Sequence, residues 1–305
     1  VQKGGTSMQH DFGKDDPCII ETNQDEDTSE QISLGSRATA RLVSMRCRES
    51  REQSLPGQDY AILISNPSGT SLSLCVCDGV GSSYKGNFAA RYLAGCLVAW
   101  LQKLPALPRH SGRLIRPLHS RLNQWAREAQ QTLNDFTIAP GAPELVREVL
   151  AELRQTHGSE TVFFCGRIDF VTPGASRPAL VRRVAPPIAA QGVFLWMGNV
   201  AARLFTTADH VIDLGEKEDD AQRWSTARGR RGDLTVRGLT LESFERLLIY
   251  TDGLRAIGDR LAVLNADELD AEMQNLLEQP ANDDMTVLDI QWLHTDPDPG
   301  KEDTL

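Results

Sequence analysis

No apolar run in this 305-residue chain is long enough for a bilayer-spanning helix, and the N-terminal stretch lacks the apolar centre of a secretion signal. Membrane insertion and export are therefore not expected, and a cytoplasmic location is. Positive charge is also scarce. Lys and Arg number 32 against 42 Asp and Glu, a formal net charge of -10, which disfavours a nucleic-acid groove or an anionic membrane surface as partner. Cysteine is limited to six residues, at positions 18, 47, 75, 77, 96 and 165, with no zinc-site spacing. Cys75 and Cys77 lie two apart on one expected strand, a poor geometry for a mutual disulfide, so reduced and mostly buried thiols are expected. The six histidines are isolated, with no H-x-H or H-E-x-x-H. No cysteine is followed six positions later by arginine, which excludes the phosphate-cradling loop of cysteine phosphatases. The chain has no G-x-x-x-x-G-K-[ST], no G-x-S-x-G and no evident internal repeat.

What is present is a hydrophobic content of 40%, enough for one large core or two small ones, and a set of acids at strand ends. Leu72, Leu74 and Val76 alternate with Ser73, Cys75 and Cys77, the period-2 pattern of a two-faced strand, and the strand runs into Asp78-Gly79. A turn at Asn66-Pro67-Ser68-Gly69 joins it to an apolar strand over 60–64, preceded by Gln58-Asp59. In such an antiparallel hairpin Asp59 begins one strand and Asp78 ends the next, so both lie at one end of a sheet. Residues 246–250 repeat the logic, an apolar strand running into Thr251-Asp252-Gly253-Leu254. A last strand over 285–290 follows Asn282-Asp283-Asp284.

Between these, helices are expected over 88–104, 113–133, 143–157 and 267–277. Further strands are expected over 38–48, 161–170, 179–184, 193–197, 202–206 and 210–214. Residues 1–35 and 295–305 are polar and acidic and read as disordered tails, leaving 36–294 as the folded domain. The charged stretch 216–233 reads as a surface loop or flap anchored by Trp224. Its Arg-rich run from Arg223 to Arg231 could meet acidic phosphosubstrates, although a solvated charge run is the simpler reading.

Asp59, Asp78, Asp252 and Asp283 each border an apolar strand. If they converge, ionised carboxylates at a core edge repel one another, and divalent cations relieve the repulsion. All-oxygen ligands favour Mg²⁺ or Mn²⁺ over zinc. Two such ions can activate a water for attack on phosphorus without a protein nucleophile.

The ordered set resembles the metal-dependent protein serine/threonine phosphatases of the 2C type (PPM family), in a divergent bacterial-like form, from about Ala38 to Trp292. Gln58-Asp59, Asp78-Gly79-Val80-Gly81 with Gly86 and Ala89-Ala90, Gly158-Ser159-Glu160-Thr161, Thr251-Asp252-Gly253-Leu254 and Asp283-Asp284-Met285-Thr286-Val287 look like successive family motifs. The resemblance implies an α+β fold, a four-layer αββα sandwich of two antiparallel sheets flanked by helices. It implies two Mn²⁺ or Mg²⁺ ions held by Asp59, Asp78, the Gly79 carbonyl, Asp252 and Asp283, with Asp78 bridging. The substrate would be a phosphorylated protein, such as a Ser/Thr kinase or its target. Two departures stand out. Asn199 and Ala201 replace the acid and arginine of the G-D-S-R-x-x-L segment, and Ala256 replaces a second acid after Asp252, so an accessory third metal site is expected to be lost. The family's phosphate-binding arginine has no well-spaced equivalent, and Arg51 or Arg48 is the expected substitute. A catalytically weak regulatory or binding module of the same fold is the alternative, and a metal-dependent small-molecule phosphoesterase is a third reading.

Overall fold

Alternation of apolar and polar residues dictates two sheets with one buried interface. In the computed structural model the described residues are 17–34, 37–108, 110–138, 140–170, 190–206, 210–215, 221–241, 244–261, 263–279 and 282–293. The first sheet runs in the order β1 (Cys18–Glu21), β4 (Tyr60–Ser65), β5 (Ser71–Gly79) and β6 (Glu160–Phe170). One edge of β6 then serves two partners. β7 (Ala190–Met197) pairs with Phe163 to Phe170 and carries β12 (Thr235–Leu241), while β10 (Arg223–Ser225) pairs with Glu160 and Thr161 and carries β11 (Gly229–Arg231). The second sheet has the order β2 (Thr28–Leu34), β3 (Ala38–Met45), β14 (Met285–Trp292), β13 (Phe244–Tyr250), β8 (Ala201–Thr206) and β9 (Val211–Leu214). All the pairings within both sheets are antiparallel.

The two-residue period decides which side chain enters which layer. Leu72, Leu74 and Val76 of β5 join Ala61 and Leu63 of β4, Leu247 and Ile249 of β13, and Leu288 and Ile290 of β14 in the core between the sheets. Cys75 and Cys77 face the other way, against α2 (Gly86–Gln102) and α3 (Ile115–Asn134). On the far side of the second sheet, Leu248, Tyr250, Met285 and Val287 pack against α5 (Ala266–Leu277). The layers are thus helix, sheet, sheet, helix, as expected. Helix α4 (Glu144–Thr156) lies at the periphery and buries no residue fully. All six cysteines are free, and the Cys75 and Cys77 sulfurs lie 3.6 Å apart.

Three expectations need correction. The expected disordered segment 1–35 contains β1 and β2, whose Ile20, Ile32 and Leu34 enter the inter-sheet core. These few apolar residues alternate correctly within an acidic, polar sequence, and edge strands need only one buried face. The charged stretch 216–233 is not simply a loop, because its described part, 221–233, holds the β10–β11 hairpin. The strand expected over 38–48 ends at Met45 and is followed by a short helix, α1 (Arg48–Glu52), and β12 was not anticipated. The strand expected over 179–184 and the tail 295–305 lie outside the described residues.

Candidate active site

Parity along the strands places the acids before any contact is considered. Asp59 precedes β4 in phase with Ala61 and Leu63, and Asp78 is next to last in β5 in phase with Leu74 and Val76, so both face the gap between the sheets. Thr251, just past β13, follows Leu247 and Ile249 in the same phase, and Asp284 and Thr286 are in phase with Leu288 on β14. The mouth of the sandwich is therefore lined with hydroxyls and carboxylates where its interior is aliphatic.

Asp78, Gly79, Asn199, Asp252 and Asp283 line one cavity of about 330 Å³, together with Val80, Gly81, Ser82, Val162 and Arg223. Asp78 and Gly79 come from the first sheet and Asp252 and Asp283 from ends of strands in the second, so the cavity spans the junction of the two layers. The Thr161 hydroxyl donates to the Asp78 carbonyl at 2.6 Å and fixes the end of β5. Gly79 is required by a close approach. A methyl there would lie 2.6 Å from the backbone carbon and oxygen of Gly86 and 2.7 Å from the Gln58 carbonyl oxygen. At Gly253 a methyl would meet the Asp284 carbonyl oxygen at 2.2 Å, which explains the second Asp-Gly pair.

Asp59 is placed differently from the other three. It is 3% exposed and is not among the residues lining the cavity. Its Oδ2 accepts a hydrogen bond from the Thr251 hydroxyl at 2.7 Å, across the two sheets. The same hydroxyl accepts from the Thr286 backbone N–H at 3.0 Å, and the Thr286 hydroxyl meets that of Ser44 at 2.9 Å. Asp284, also 3% exposed, accepts from the Cys47 backbone N–H at 2.6 Å and from that of Gln58. Asp284 thus ties the start of β14 to the loops before α1 and β4.

The electrostatics record the crowding. Burial raises the Asp59 carboxyl well above the ordinary carboxylate range, the charges of Asp284 and Asp283 add to the rise, and the Thr251 hydroxyl opposes it. Burial also raises Asp78 strongly, followed by the charges of Asp59, Asp252 and Asp283 and a hydrogen bond to Asp252. Asp283 is raised by burial and by Asp252 and Asp284, against a hydrogen bond from the Asp284 backbone. Among the described residues no three His, Cys, Asp or Glu side chains stand already arranged around a metal position. The donor set itself fits a hard divalent cation: carboxylates facing one cavity, a strand-end carbonyl at Gly79, and charges that repel in the absence of a counter-ion. Asn199 donates from Nδ2 to Asp252 Oδ2 at 2.9 Å, so a neutral amide stands where the resemblance would place a further acid.

The expected phosphate-binding arginines are engaged elsewhere. Arg51 Nη2 lies 2.6 Å from Asp27 Oδ2, and Arg48 Nε lies 2.7 Å from Glu52 one helical turn away. Neither lines the cavity. Arg46 also reaches Asp27, at 3.6 Å. The arginine that does line the cavity is Arg223 on β10, together with the acids. Its signal in the sequence was the alternation Arg223, Trp224, Ser225, which puts Trp224 inward and Arg223 on the opposite face.

No family model and no curated protein matches the sequence. Solved structures match in fold. They include a bacterial serine phosphatase, 13% identical over 84% of this chain and 98% of that one with a TM-score of 0.52. Serine/threonine phosphatase Stp1 from Staphylococcus aureus is 14% identical over 83% of this chain and 94% of that one, with a TM-score of 0.54. RsbX, crystallised with magnesium, is 12% identical over 88% of this chain and all of that one, with a TM-score of 0.51. At these identities the likeness establishes the fold, which is that of the bacterial metal-dependent serine/threonine phosphatases.

Proposed function

We propose that this chain is a metal-dependent phosphatase that removes phosphate from phosphoserine or phosphothreonine in a protein substrate. The observation that carries the reading is the convergence of Asp78, Gly79, Asp252 and Asp283, from both sheets, on one cavity. In this reading those carboxylates and the Gly79 carbonyl would hold Mn²⁺ or Mg²⁺, two ions as the resemblance implies, with the buried Asp59 bonded to Thr251 beside them. The magnesium in the RsbX crystal supports this choice of cation. Bound ions would supply Lewis acidity and a water acidic enough to attack phosphorus near neutral pH.

The chain's own contribution is positioning. Thr161 fixes the Asp78 carbonyl, Asn199 orients Asp252, and the Thr251 hydroxyl braces Asp59 against the second sheet. Repulsion among the acids keeps the cation-free cavity electrostatically unfavourable and so favours cation uptake. A phosphoprotein substrate would present its phosphoryl group to this cavity. No helix among the described residues is long and apolar enough to cross a membrane.

A second reading, a catalytically weak binding module of this fold, draws on the Asn199 amide bonded to Asp252. One experiment separates the two. Hydrolysis of p-nitrophenyl phosphate and of a phosphothreonine peptide is measured against Mn²⁺ concentration for wild type, Asp78→Asn and Asp252→Asn. Saturable, cation-dependent turnover lost in both variants supports the enzyme. Cation binding by calorimetry without turnover supports the module, and turnover unaffected by either substitution refutes the site.

A further inference from the structure

Arg223 brings a positive charge to a cavity otherwise lined by aspartates, and the β10–β11 hairpin is built to hold it there. Trp224, the next residue, is fully buried. Its indole N–H donates to the Leu122 carbonyl at 2.9 Å, and its ring stacks on Tyr92 at 6.3 Å between centroids. Because β10 pairs with Thr161 and Glu160, alternation turns Arg223 away from Trp224 and toward the cavity mouth.

One carboxylate serves two guanidinium groups at this point. Glu160 is 2% exposed and accepts from Arg223 Nη1 at 3.1 Å and from Arg231 Nη1 at 3.3 Å. Arg223 and Arg231 are direct register partners across the hairpin. Two cations against one anion leave a positive charge unmatched within this group. Arg223 has five N–H donors, of which Glu160 engages one nitrogen, and its Nε has no hydrogen-bond partner among the described residues. The Arg48 and Arg51 guanidiniums lie beside Glu52 and Asp27 and do not line the cavity.

We infer that Arg223 is the residue that captures the substrate's phosphoryl oxygens, with Glu160 and Arg231 as positioning residues that hold its guanidinium at the cavity. The inference rests on the phosphatase reading for the identity of the ligand. An arginine presents a planar fork that matches two phosphoryl oxygens, and it does so best when a buried carboxylate fixes its other edge. The anchor thus comes from the hairpin beyond β9 rather than from the loop before β4. A phosphoryl dianion also resolves the charge balance, because it is the group that the unmatched guanidinium and cation-loaded aspartates would share.

The test measures inorganic phosphate binding by calorimetry in saturating Mg²⁺, and phosphate inhibition and KM with a phosphothreonine peptide. Wild type is compared with Arg223→Ala, Arg223→Lys, Glu160→Gln, Arg48→Ala and Arg51→Ala, with Mg²⁺ affinity as a parallel readout. Arg223→Ala is expected to weaken phosphate by at least about tenfold, the equivalent of one charge-assisted hydrogen bond, and to raise KM more than it lowers kcat. Arg223→Lys keeps a cation against Glu160 and is expected to fall between the two. Glu160→Gln raises KM with little change in Mg²⁺ affinity, and the Arg48 and Arg51 variants match wild type. Phosphate binding by Arg223→Ala equal to wild type, or no phosphate binding by wild type, overturns the inference. Arg223-dependent phosphate binding without turnover upholds it and refutes instead the catalytic reading on which it draws.

Discussion

The replacement Thr251→Val isolates the hydroxyl that joins the two sheets at the site. Valine has nearly the same shape, so no cavity opens and the change is one of hydrogen bonding. Thr251 is fully buried, and its hydroxyl donates to Asp59 Oδ2 at 2.7 Å while accepting the Thr286 N–H at 3.0 Å. Losing a hydrogen bond to a charged group costs about 1.5–3 kcal/mol, and leaving a buried N–H unmet costs about 1–3 kcal/mol. The Thr286 hydroxyl also supports Asp59, which offsets part of the first loss, so a net of about 2–4 kcal/mol is expected. At roughly 2–4 °C per kcal/mol for a domain of this size, the midpoint of thermal unfolding should fall by about 5–15 °C. Because the hydroxyl holds the Asp59 carboxyl down against burial and Asp284, the loss should be larger at pH 8 than at pH 5, where more of the acid is protonated. Thr251→Ser keeps the hydroxyl and removes one methyl, at about 1 kcal/mol. Urea and thermal unfolding of the three proteins in EDTA decide the matter. A valine variant within about 0.5 kcal/mol of wild type, or one more stable than the serine variant, refutes the bridging role.

Further expectations concern the acids and the elements that hold them. In EDTA, Asp78→Asn should raise the unfolding midpoint by several degrees, because it removes one of the repelling carboxylates, and should abolish stabilisation by Mn²⁺; a lowered midpoint would count against the repulsion. Asp59, Asp78 and Asp283 all have folded-state pKa values above their unfolded ones, so the folded state binds more protons. Their destabilising contribution is absent below the unfolded pKa near 4 and grows as pH rises through the folded values, so cation-free stability should fall from pH 5 to pH 8 and saturating Mn²⁺ should flatten the profile. The difference between wild type and Asp78→Asn across that range isolates this contribution from other titrations. Gly79→Ala should lose about 3 kcal/mol or more, read as a lower urea midpoint, because its methyl meets the backbone of Gly86 and Gln58 rather than movable side chains. Trp224→Ala should cost about 3–5 kcal/mol by the same measurement and release the hairpin that carries Arg223.

The architecture was legible where burial on both sides of a sheet writes itself as alternation. Leu72, Leu74 and Val76 against Cys75 and Cys77 announce β5 and its two faces, and the Asn66-Pro67 turn announces the hairpin with β4. β1 and β2 were not legible, since each contributes only one or two core residues to an acidic background and gains its stability from pairing with β4 and β3. Pairing is a long-range property that local composition does not encode. That Asp59 and Asp78 share one end of a sheet followed from the hairpin, whereas the meeting of Asp78 with Asp252 and Asp283 was implied only by the resemblance, because it depends on how the two sheets stack. The finer distinction, that Asp59 is buried against Thr251 while the others line the cavity, depends on Thr251 and Thr286 and could not be read from spacing.

The arginine is the most instructive case, because proximity in sequence and proximity in space point to different residues. Arg48 and Arg51 lie closer to Asp59 in the sequence, but both sit on helix α1, where they face Glu52 and Asp27. Arg223 is 164 positions from Asp59 along the chain and reaches the cavity because β6 leaves Glu160 and Thr161 free of β7 and offers them to β10. The Arg-rich run from Arg223 to Arg231 looks like a solvated charge patch only until Trp224 is seen to be fully buried. A tryptophan in a charged segment fixes the phase of its neighbours, and with that phase the charges separate into those that face water and those that face the site. If Trp224→Phe, which preserves the inward anchor but not the bond to Leu122, left phosphate affinity and KM unchanged while Trp224→Ala weakened both by the same factor as Arg223→Ala, phase would be the controlling variable. Equal behaviour of Trp224→Ala and wild type would show that Arg223 finds the cavity without it.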